Sequence, residues 1–277
     1  MRPNGRVAAF EAGYLQAPTG QVHYRLAGSS GRPLILLHQS PLSGAQFEAV
    51  LPRLAAAGFQ PLALDMPGFG RSDAGDNPAS LEGLASCVPA ALAHMGWQRC
   101  CLVGHHTGAV VGASHAVGAP DTVEALVLNG FPLLTAAERA HFSTFYFGPP
   151  QPNPDGSHLL QAWESRLRST PGWTDLELMQ RYTVEALLSA TTNWRAFPLI
   201  LEADLGALLD AIRVRTLLLT NTGEDLYQAT RRAHARRPDL RYAELAGGSH
   251  DIVDEQPGAW TDVVTAFLAE PSDGVPG

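Results

Sequence analysis

Short runs of consecutive apolar residues recur along the chain and alternate with segments whose apolar residues have helical spacing. The clearest run, Pro-Leu-Ile-Leu-Leu at 33–37, is apolar throughout, which is typical of a strand buried on both faces. Similar runs predict further strands at 21–26, 60–64, 100–103, 123–128, 216–220 and 241–245. The segments between them predict helices, including those at 47–57, 81–95 and 109–117. This alternation predicts an α/β fold with a mostly parallel sheet and helices on both of its faces.

The alternation stops between residues 132 and 201, where aromatic residues and prolines are frequent and no strand-like run occurs. We interpret 132–201 as a helical cap inserted into a core formed by 1–131 and 202–277. Parallel strands joined by right-handed crossovers bring their carboxyl ends to one edge of the sheet, where ligands bind. A cap over this edge would enclose an apolar substrate pocket. The aromatic residues that we expect to line the pocket are Phe131, Phe145, Trp163 and Trp194.

The composition argues against several classes of protein. With 27 acidic against 19 basic residues, the net charge is −8, which disfavours a nucleic-acid partner and an anionic membrane surface. No apolar run approaches the roughly 18–20 residues that span a bilayer, and residues 1–17 do not resemble a signal peptide. We therefore expect a cytoplasmic protein that acts on a small molecule, and the question of a homodimer stays open. The three cysteines lack the spacing of a zinc site, so we expect buried, reduced thiols.

The segment Gly-His-His-Thr-Gly at 104–108 directly follows a predicted strand and precedes a helix of small residues. This is the strand–turn–helix context of a nucleophile elbow, a sharp turn that strains its central residue and needs small residues two positions away on each side. Gly104 and Gly108 meet that need. The segment resembles the α/β-hydrolase superfamily, and within it the branch of epoxide hydrolases, haloalkane dehalogenases and C–C bond hydrolases. At the apex, however, His106 stands where a serine, cysteine or aspartate is expected.

Three further segments carry the same resemblance. His-Gln-Ser-Pro at 38–41 resembles the His-Gly-x-Pro oxyanion turn, and the segment 65–73 is similar to the superfamily's Asp-x-Pro-Gly-x-Gly-x-Ser turn. Gly-Ser-His at 248–250 resembles the segment that carries the triad histidine. Four such motifs in the right order imply the α/β-hydrolase fold, with an eight-stranded, mostly parallel sheet and a helical cap insertion.

The resemblance also implies roles for individual residues. His250 corresponds to the triad histidine, and the backbone N–H groups of Ser40 and Thr107 would form the oxyanion hole. The triad acid should follow the strand that precedes the last one, where Asp225 is the best candidate and Glu224 the alternative. Its carboxylate would accept the Nδ1 proton of the histidine and fix its tautomer.

The turn at 38–41 departs from the family's pattern, because Gln39 replaces the usual glycine. Either the turn is narrower than usual, or the glutamine donates its side-chain amide into the site. We expect His38, Gln39 and His105 at the substrate pocket, with the two histidines in supporting roles.

The histidine at the elbow excludes the usual covalent chemistry. An acyl-imidazole is labile, and imidazole does not form the hydrolysable ester on which dehalogenases and epoxide hydrolases depend. We expect His106 and His250, oriented by Asp225, to face one another and to titrate as a pair, which leaves one neutral base near pH 7. That base would activate water against a small, largely apolar ester, lactone or β-dicarbonyl compound. Direct attack by His106 is a second version of the same hypothesis.

Two other classes of function stay open. A lyase, decarboxylase or isomerase needs a base and an oxyanion hole but no covalent nucleophile, and a histidine pair supplies both acid and base. A non-catalytic binding protein is the other alternative. We expect no metal, because adjacent His105 and His106 should diverge on a tight turn. We expect no cofactor either, since the chain lacks a phosphate loop with a lysine and a dinucleotide fingerprint.

Overall fold

The computed structural model describes residues 10–75, 80–144, 152–170, 172–188 and 196–270. Its centre is a sheet whose strands are β1 (Glu11–Ala17), β2 (Gly20–Leu26), β3 (Arg32–Leu37), β4 (Phe59–Leu64), β5 (Cys100–His105), β6 (Val123–Asn129), β7 (Thr216–Asn221) and β8 (Arg241–Leu245). The strands lie side by side in the order β1-β2-β4-β3-β5-β6-β7-β8. β2 pairs antiparallel with β1 and β4, and the other neighbouring pairs are parallel. The eight-stranded, mostly parallel sheet that we predicted is therefore confirmed.

Helices connect the strands and cover the sheet. Those described are α1 (Leu51–Ala56), α2 (Leu81–Ala85), α3 (Cys87–Met95), α4 (Thr107–Gly118), α5 (Ala136–Ser143), α6 (Ser157–Ser169), α7 (Leu176–Leu188), α8 (Ala196–Glu202), α9 (Leu205–Ala211), α10 (Tyr227–Arg236), α11 (Ile252–Glu255) and α12 (Pro257–Ala269). The predicted helix 81–95 is interrupted at Ser86, which ends α2 and begins α3. The predicted helix 47–57 begins late, because a 3₁₀ turn at Gly44–Phe47 precedes α1.

The hydrophobic core lies in two layers, one on each face of the sheet. In β3, Ile35 and Leu37 pack into one layer and Leu34 and Leu36 into the other, and all four side chains are fully buried. Alternate side chains of a strand point to opposite faces, so a strand covered on both sides must be apolar at every position. Each such side chain contributes about 1.5–3 kcal/mol when it is buried. This packing fixes the carboxyl end of β5, where the elbow begins.

Helices α5 to α8 lie between β6 and β7 and form most of the described part of 132–201, the segment that we interpret as a cap; α8 ends one residue beyond it, at Glu202. Several polar contacts among the described residues join this segment to the core; among them, Tyr182 of α7 donates to Asp254, and Arg166 of α6 donates to Asp251. The three cysteines are buried and unpaired, and burial raises the pKa of the Cys87 thiol to about 12. In the described part of the chain, no helix combines the length and the apolar character needed to cross a bilayer.

Candidate active site

The turn between β5 and α4 has the geometry of an elbow. His106 adopts φ 48°, and among the described residues it is the one non-glycine residue with a positive φ. Such backbone strain costs about 1–3 kcal/mol and persists only where the surroundings enforce it. A Cβ at Gly104 would collide with the carbonyl of Gly108, and one at Gly108 would collide with the carbonyl of Leu37. The two glycines are therefore required, and the imidazole stands at the carboxyl edge of the sheet with 15% of its side chain exposed.

His106 pairs with a buried carboxylate across the site. Its Nε2 lies 2.6 Å from Oε2 of Glu224, whose side chain is fully buried. The other oxygen, Oε1, accepts from the Thr220 hydroxyl and from the Asn221 N–H at 3.4 Å. An ionised carboxylate only accepts hydrogen bonds, so Nε2 of the imidazole carries the proton. Nδ1 of His106 is then the free lone pair, and it has no hydrogen-bond partner within the described ranges.

A glycine makes room for this pair. A Cβ at Gly130, directly after β6, would lie 2.6 Å from Nε2 of His106 and 2.9 Å from Oε2 of Glu224. Asn129, the last residue of β6, holds the other position from which the superfamily supplies an acid. Its side-chain oxygen accepts from the Trp260 indole at 2.7 Å, so this side chain bonds to a residue of the hydrophobic core.

The expected contact between Asp225 and His250 is not present. Asp225 is exposed, and its carboxylate makes no hydrogen bond to the histidine in the described structure. The turn after β7 explains the difference. Asn221 donates to the carbonyls of Gly247 and Ser249, and its own carbonyl accepts from the Glu224 N–H at 3.3 Å. This folds the turn so that residue 224 points into the site and residue 225 into solvent.

His250 lies on the opposite side of the site. Its ring centroid is 6.2 Å from that of His106, so the structure brings the two predicted histidines together. Its Nε2 accepts from Nη1 of Arg166 at 3.1 Å. The fully buried Asp251 accepts from the same guanidinium and from the Gln39 amide at 2.9 Å. Burial lowers the pKa of His250; Asp251 opposes this effect, and the charges of Arg166 and His106 reinforce it.

The predicted oxyanion turn is only partly free to bind a ligand. The Thr107 N–H, at the start of α4, has no partner among the described residues, as an oxyanion donor requires. The Ser40 N–H instead donates to the Thr107 hydroxyl at 3.3 Å. The Ser40 hydroxyl is buried and also has no partner in the described structure.

His38 and Gln39 hold the turn together from inside. His38 is fully buried, donates from Nδ1 to the Gln39 carbonyl at 2.8 Å and accepts at Nε2 from the Met66 N–H at 3.0 Å. Burial lowers its pKa to about 4, so it is a neutral structural residue rather than a lining of the pocket. Gln39 donates its side-chain amide to the buried Asp251, next to His250, which fits the alternative in which the glutamine donates into the site.

His105 is also fully buried, and its protonation is set by its neighbours. The Gln39 N–H donates to Oε1 of Gln46 at 3.1 Å, which orients that amide so that its Nε2 donates to Nδ1 of His105. The proton of His105 therefore sits on Nε2, an atom with no partner in the described structure. Burial, together with the charges of His106 and His250, lowers the pKa of this imidazole well below its ordinary value.

The two adjacent histidines do not diverge as we expected. The ring centroids of His105 and His106 are 4.2 Å apart. With Glu224 they offer three ligand atoms that lie within 4.8 Å of one another, and these residue types suit a divalent cation. Ligation through Nε2 of His105 would need a lone pair there, whereas the orientation of Gln46 places a proton on that atom. The cluster is thus built for hydrogen bonding rather than for a metal.

The structure places the aromatic residues that we expected to line the pocket in different surroundings. Phe131 is fully buried in the hydrophobic core and presents no surface to a ligand. Trp163 is half-buried on α6, one turn before Arg166. Phe145 and Trp194 lie outside the described residues. The sequence does not identify Arg166 or Asp251 as site residues. No motif marks a single arginine in an aromatic-rich segment, whereas the position of Asp251, directly after the predicted triad histidine, could have drawn attention to it.

Comparisons with known proteins agree with the observed fold. A family model described as the alpha/beta hydrolase family matches residues 34–263. A fluoroacetate dehalogenase from Burkholderia sp is 26% identical over 90% of this chain and 91% of its own length. Mouse epoxide hydrolase 4 is 33% identical over 40% of this chain, and the match spans only 31% of that protein. The enol-lactonase structure from Burkholderia xenovorans LB400 is 20% identical, with a TM-score of 0.76 over 93% of this chain and 100% of its own, which shows the fold. The chain belongs to the alpha/beta hydrolase family.

Proposed function

We propose that this protein is a hydrolase of small carbonyl compounds, in which the His106–Glu224 pair activates water. The observation that carries the proposal is the 2.6 Å contact between Nε2 of His106 and the buried carboxylate. A carboxylate that accepts from one imidazole nitrogen fixes the tautomer and stabilises the imidazolium that forms during catalysis. The free Nδ1 is then the general base.

The chemistry follows from this arrangement. Nδ1 of His106 takes a proton from water while the water oxygen attacks the carbonyl carbon. The oxyanion that forms accepts from the Thr107 N–H. When the tetrahedral intermediate collapses, the proton passes from the imidazolium to the leaving oxygen. No covalent enzyme intermediate is needed, so the absence of a serine at the apex does not prevent turnover.

Among the reactions of the relatives, lactone opening fits this site best. By their names, the dehalogenase and the epoxide hydrolase break a bond to a saturated carbon. Such a reaction proceeds through an ester formed on a carboxylate nucleophile, and an imidazole cannot form that ester. The enol-lactonase acts on a cyclic ester, and hydrolysis of an ester needs only an activated water and an oxyanion donor. We therefore place lactones and activated esters first.

A second candidate is proton transfer beside a carbonyl, as in a lyase, decarboxylase or isomerase. The 6.2 Å separation of the two imidazole rings favours it, because one ring can remove a proton while the other supplies one. This reaction uses the same oxyanion donor and needs no water.

The test is the rate of hydrolysis of a panel of activated esters and lactones. Wild type is compared with His106→Ala, with an equimolar histidine blank, and with His94→Ala as the control for an exposed histidine far from the site. We expect wild type and His94→Ala to exceed the blank clearly and His106→Ala to lose that excess. If no variant turns over while carbonyl compounds still bind, hydrolysis is rejected and proton transfer or simple binding takes its place.

A further inference from the structure

Arg166 reaches from the cap helix α6 into the site and is nine-tenths buried there. Its Nη1 donates to Nε2 of His250 at 3.1 Å, and its Nη2 donates to Asp251. The guanidinium lies over the Tyr182 ring, 4.8 Å from its centroid, which fixes the plane of the fork. The Nε atom is buried and has no partner among the described residues. A buried cation with an unused donor marks a place for an acceptor that the protein itself does not supply.

The hydrogen bond from Arg166 to the neutral imidazole of His250 is weaker than one to a charged acceptor would be. Arginine only donates, so Nη1 occupies the lone pair of His250, and the histidine is not free to exchange a proton while it is held. A charged acceptor forms a shorter and roughly twice as strong bond with a guanidinium as a neutral one does. An anion brought by a ligand therefore competes well with the neutral imidazole for this donor.

We propose that Arg166 is the binding subsite for a carboxylate group carried by the substrate. The carboxylate accepts from Nε and draws the guanidinium away from His250, which frees Nε2 of the histidine. This inference names the substrate class of the hydrolase proposed above and rests on that function.

The surrounding charges set how much negative charge the ligand carries. Asp251 and Glu224 are both buried and acidic, so a dianionic group such as phosphate would be repelled. One negative charge is compensated, because the released His250 can take a proton from solvent at Nε2, which lies 3.8 Å from Oδ2 of Asp251, and pair with that carboxylate as an imidazolium. The substrate is then a small ester or lactone with one carboxylate, rather than the largely apolar compound expected from the aromatic cap.

Two esters with the same five-carbon acyl chain test the proposal: mono-4-nitrophenyl glutarate, which carries a carboxylate, and 4-nitrophenyl valerate, which does not. The variants are Arg166→Gln and, as the matched control, Arg168→Gln, whose side chain is 70% exposed on the same helix. We expect wild type to prefer the glutarate ester in kcat/KM, and Arg166→Gln to lower that preference about 10–100-fold. Arg168→Gln should keep it, and Arg166→Lys, with its charge but no fork, should keep part of it.

Equal losses on both esters in Arg166→Gln, or a wild type without preference, would overturn the proposal. Calorimetric titration with 5-hydroxypentanoate, which carries one carboxylate, against 1,5-pentanediol as the neutral analogue, separates this proposal from the hydrolase. If no ester is hydrolysed but 5-hydroxypentanoate binds to wild type and Arg168→Gln and not to Arg166→Gln, the carboxylate subsite stands and the hydrolase falls. If wild type binds 5-hydroxypentanoate no better than the diol, the subsite is rejected whatever the ester rates are.

Discussion

In the proposed mechanism, the imidazole of His106 places the general base on the elbow itself. In a serine-type triad, the acid after β7 orients the histidine of the last loop, and that histidine activates the residue on the elbow. Here Glu224 reaches the elbow directly, with an Nε2 to Oε2 distance of 2.6 Å. The histidine of the last loop, His250, makes no hydrogen bond to an acid of the β7 turn in the described structure and accepts from Arg166 instead. The residues at these three positions are therefore paired differently from those of a serine-type triad.

The first prediction separates the two acids of the β7 turn. Glu224→Gln keeps the size of the side chain but leaves no charge to stabilise the imidazolium, so we expect kcat/KM to fall about 10²–10⁴-fold. Asp225→Asn is the neighbouring control, and because Asp225 is exposed we expect it to change kcat/KM little. The measurement is steady-state hydrolysis of the best ester or lactone. If Asp225→Asn is the damaging change instead, the acid has been assigned to the wrong residue.

The sequence predicts which residues lie at the site better than it predicts which of them form hydrogen bonds with one another. The motifs locate His106, His250 and Thr107, because an elbow and a triad loop have fixed spacings. They do not say which of two adjacent acids points inward, since that depends on Asn221 bonding to the carbonyls of Gly247 and Ser249. Arg166 has no sequence signal at all, because its partners are more than 80 residues away.

Among the secondary-structure elements, the buried strands were the easiest to predict. β3 to β7 are apolar nearly throughout because helices cover both faces of the sheet. β1 escaped prediction, since it lies at the edge of the sheet and its side chains are mostly exposed. The break between α2 and α3 was missed too, because the apolar spacing continues across Ser86 while the backbone does not.

The second prediction concerns the turn after β6. Gly130 has φ +68°, and a Cβ there would press on both His106 and Glu224. We expect Gly130→Ala to displace the pair and lower kcat/KM by about a hundredfold, since a displacement of about 1 Å is enough for such a loss. Gly118→Ala, at a glycine with open space around it, serves as the control and should not alter the rate. Should Gly130→Ala retain full activity, the close packing of this pair is unimportant for catalysis.

Over the whole molecule, the sequence predicts the core but not the contacts by which the segment 132–201 is attached to it. Four motifs in order are enough to assign the family, because each belongs to a loop at the carboxyl edge of one sheet. The described part of the segment 132–201 meets the core through polar contacts, among them Tyr182 with Asp254 and Arg166 with Asp251, which no periodicity reveals. Through Asp251 and Asp254, these contacts join the segment to charged groups beside the candidate site.

The third prediction follows from the contact between Tyr182 and Asp254. Burial raises the pKa of Asp254 from 3.8 to about 7, and the nearby negative charge of Asp251 raises it further. The Tyr182 hydroxyl, Arg181 and Arg166 lower this pKa but do not offset the effect of burial. A raised pKa means that the folded state keeps the proton longer than the unfolded state does. The stability that this group contributes is complete below 3.8 and is lost as the pH rises through about 7.

Asp254→Asn removes this titration while the amide oxygen can still accept from Tyr182. We expect the variant to gain about 1–3 kcal/mol over wild type between pH 4 and pH 8, measured by denaturant unfolding across that range. Asp262→Asn, an exposed change on α12, should show no such trend. A constant difference between Asp254→Asn and wild type at all pH values would show that the carboxyl does not titrate in this window.

A double-mutant cycle on His106 and Glu224 tests whether the two side chains act as one catalytic unit. It compares kcat/KM for hydrolysis of the best lactone or ester by wild type, His106→Ala, Glu224→Gln and the double variant. Groups that act as one unit lose together, so we predict that the double variant is no slower than His106→Ala alone. Losses that multiply, or a wild-type rate no higher than that of free histidine, would show that the His106–Glu224 pair is not the base.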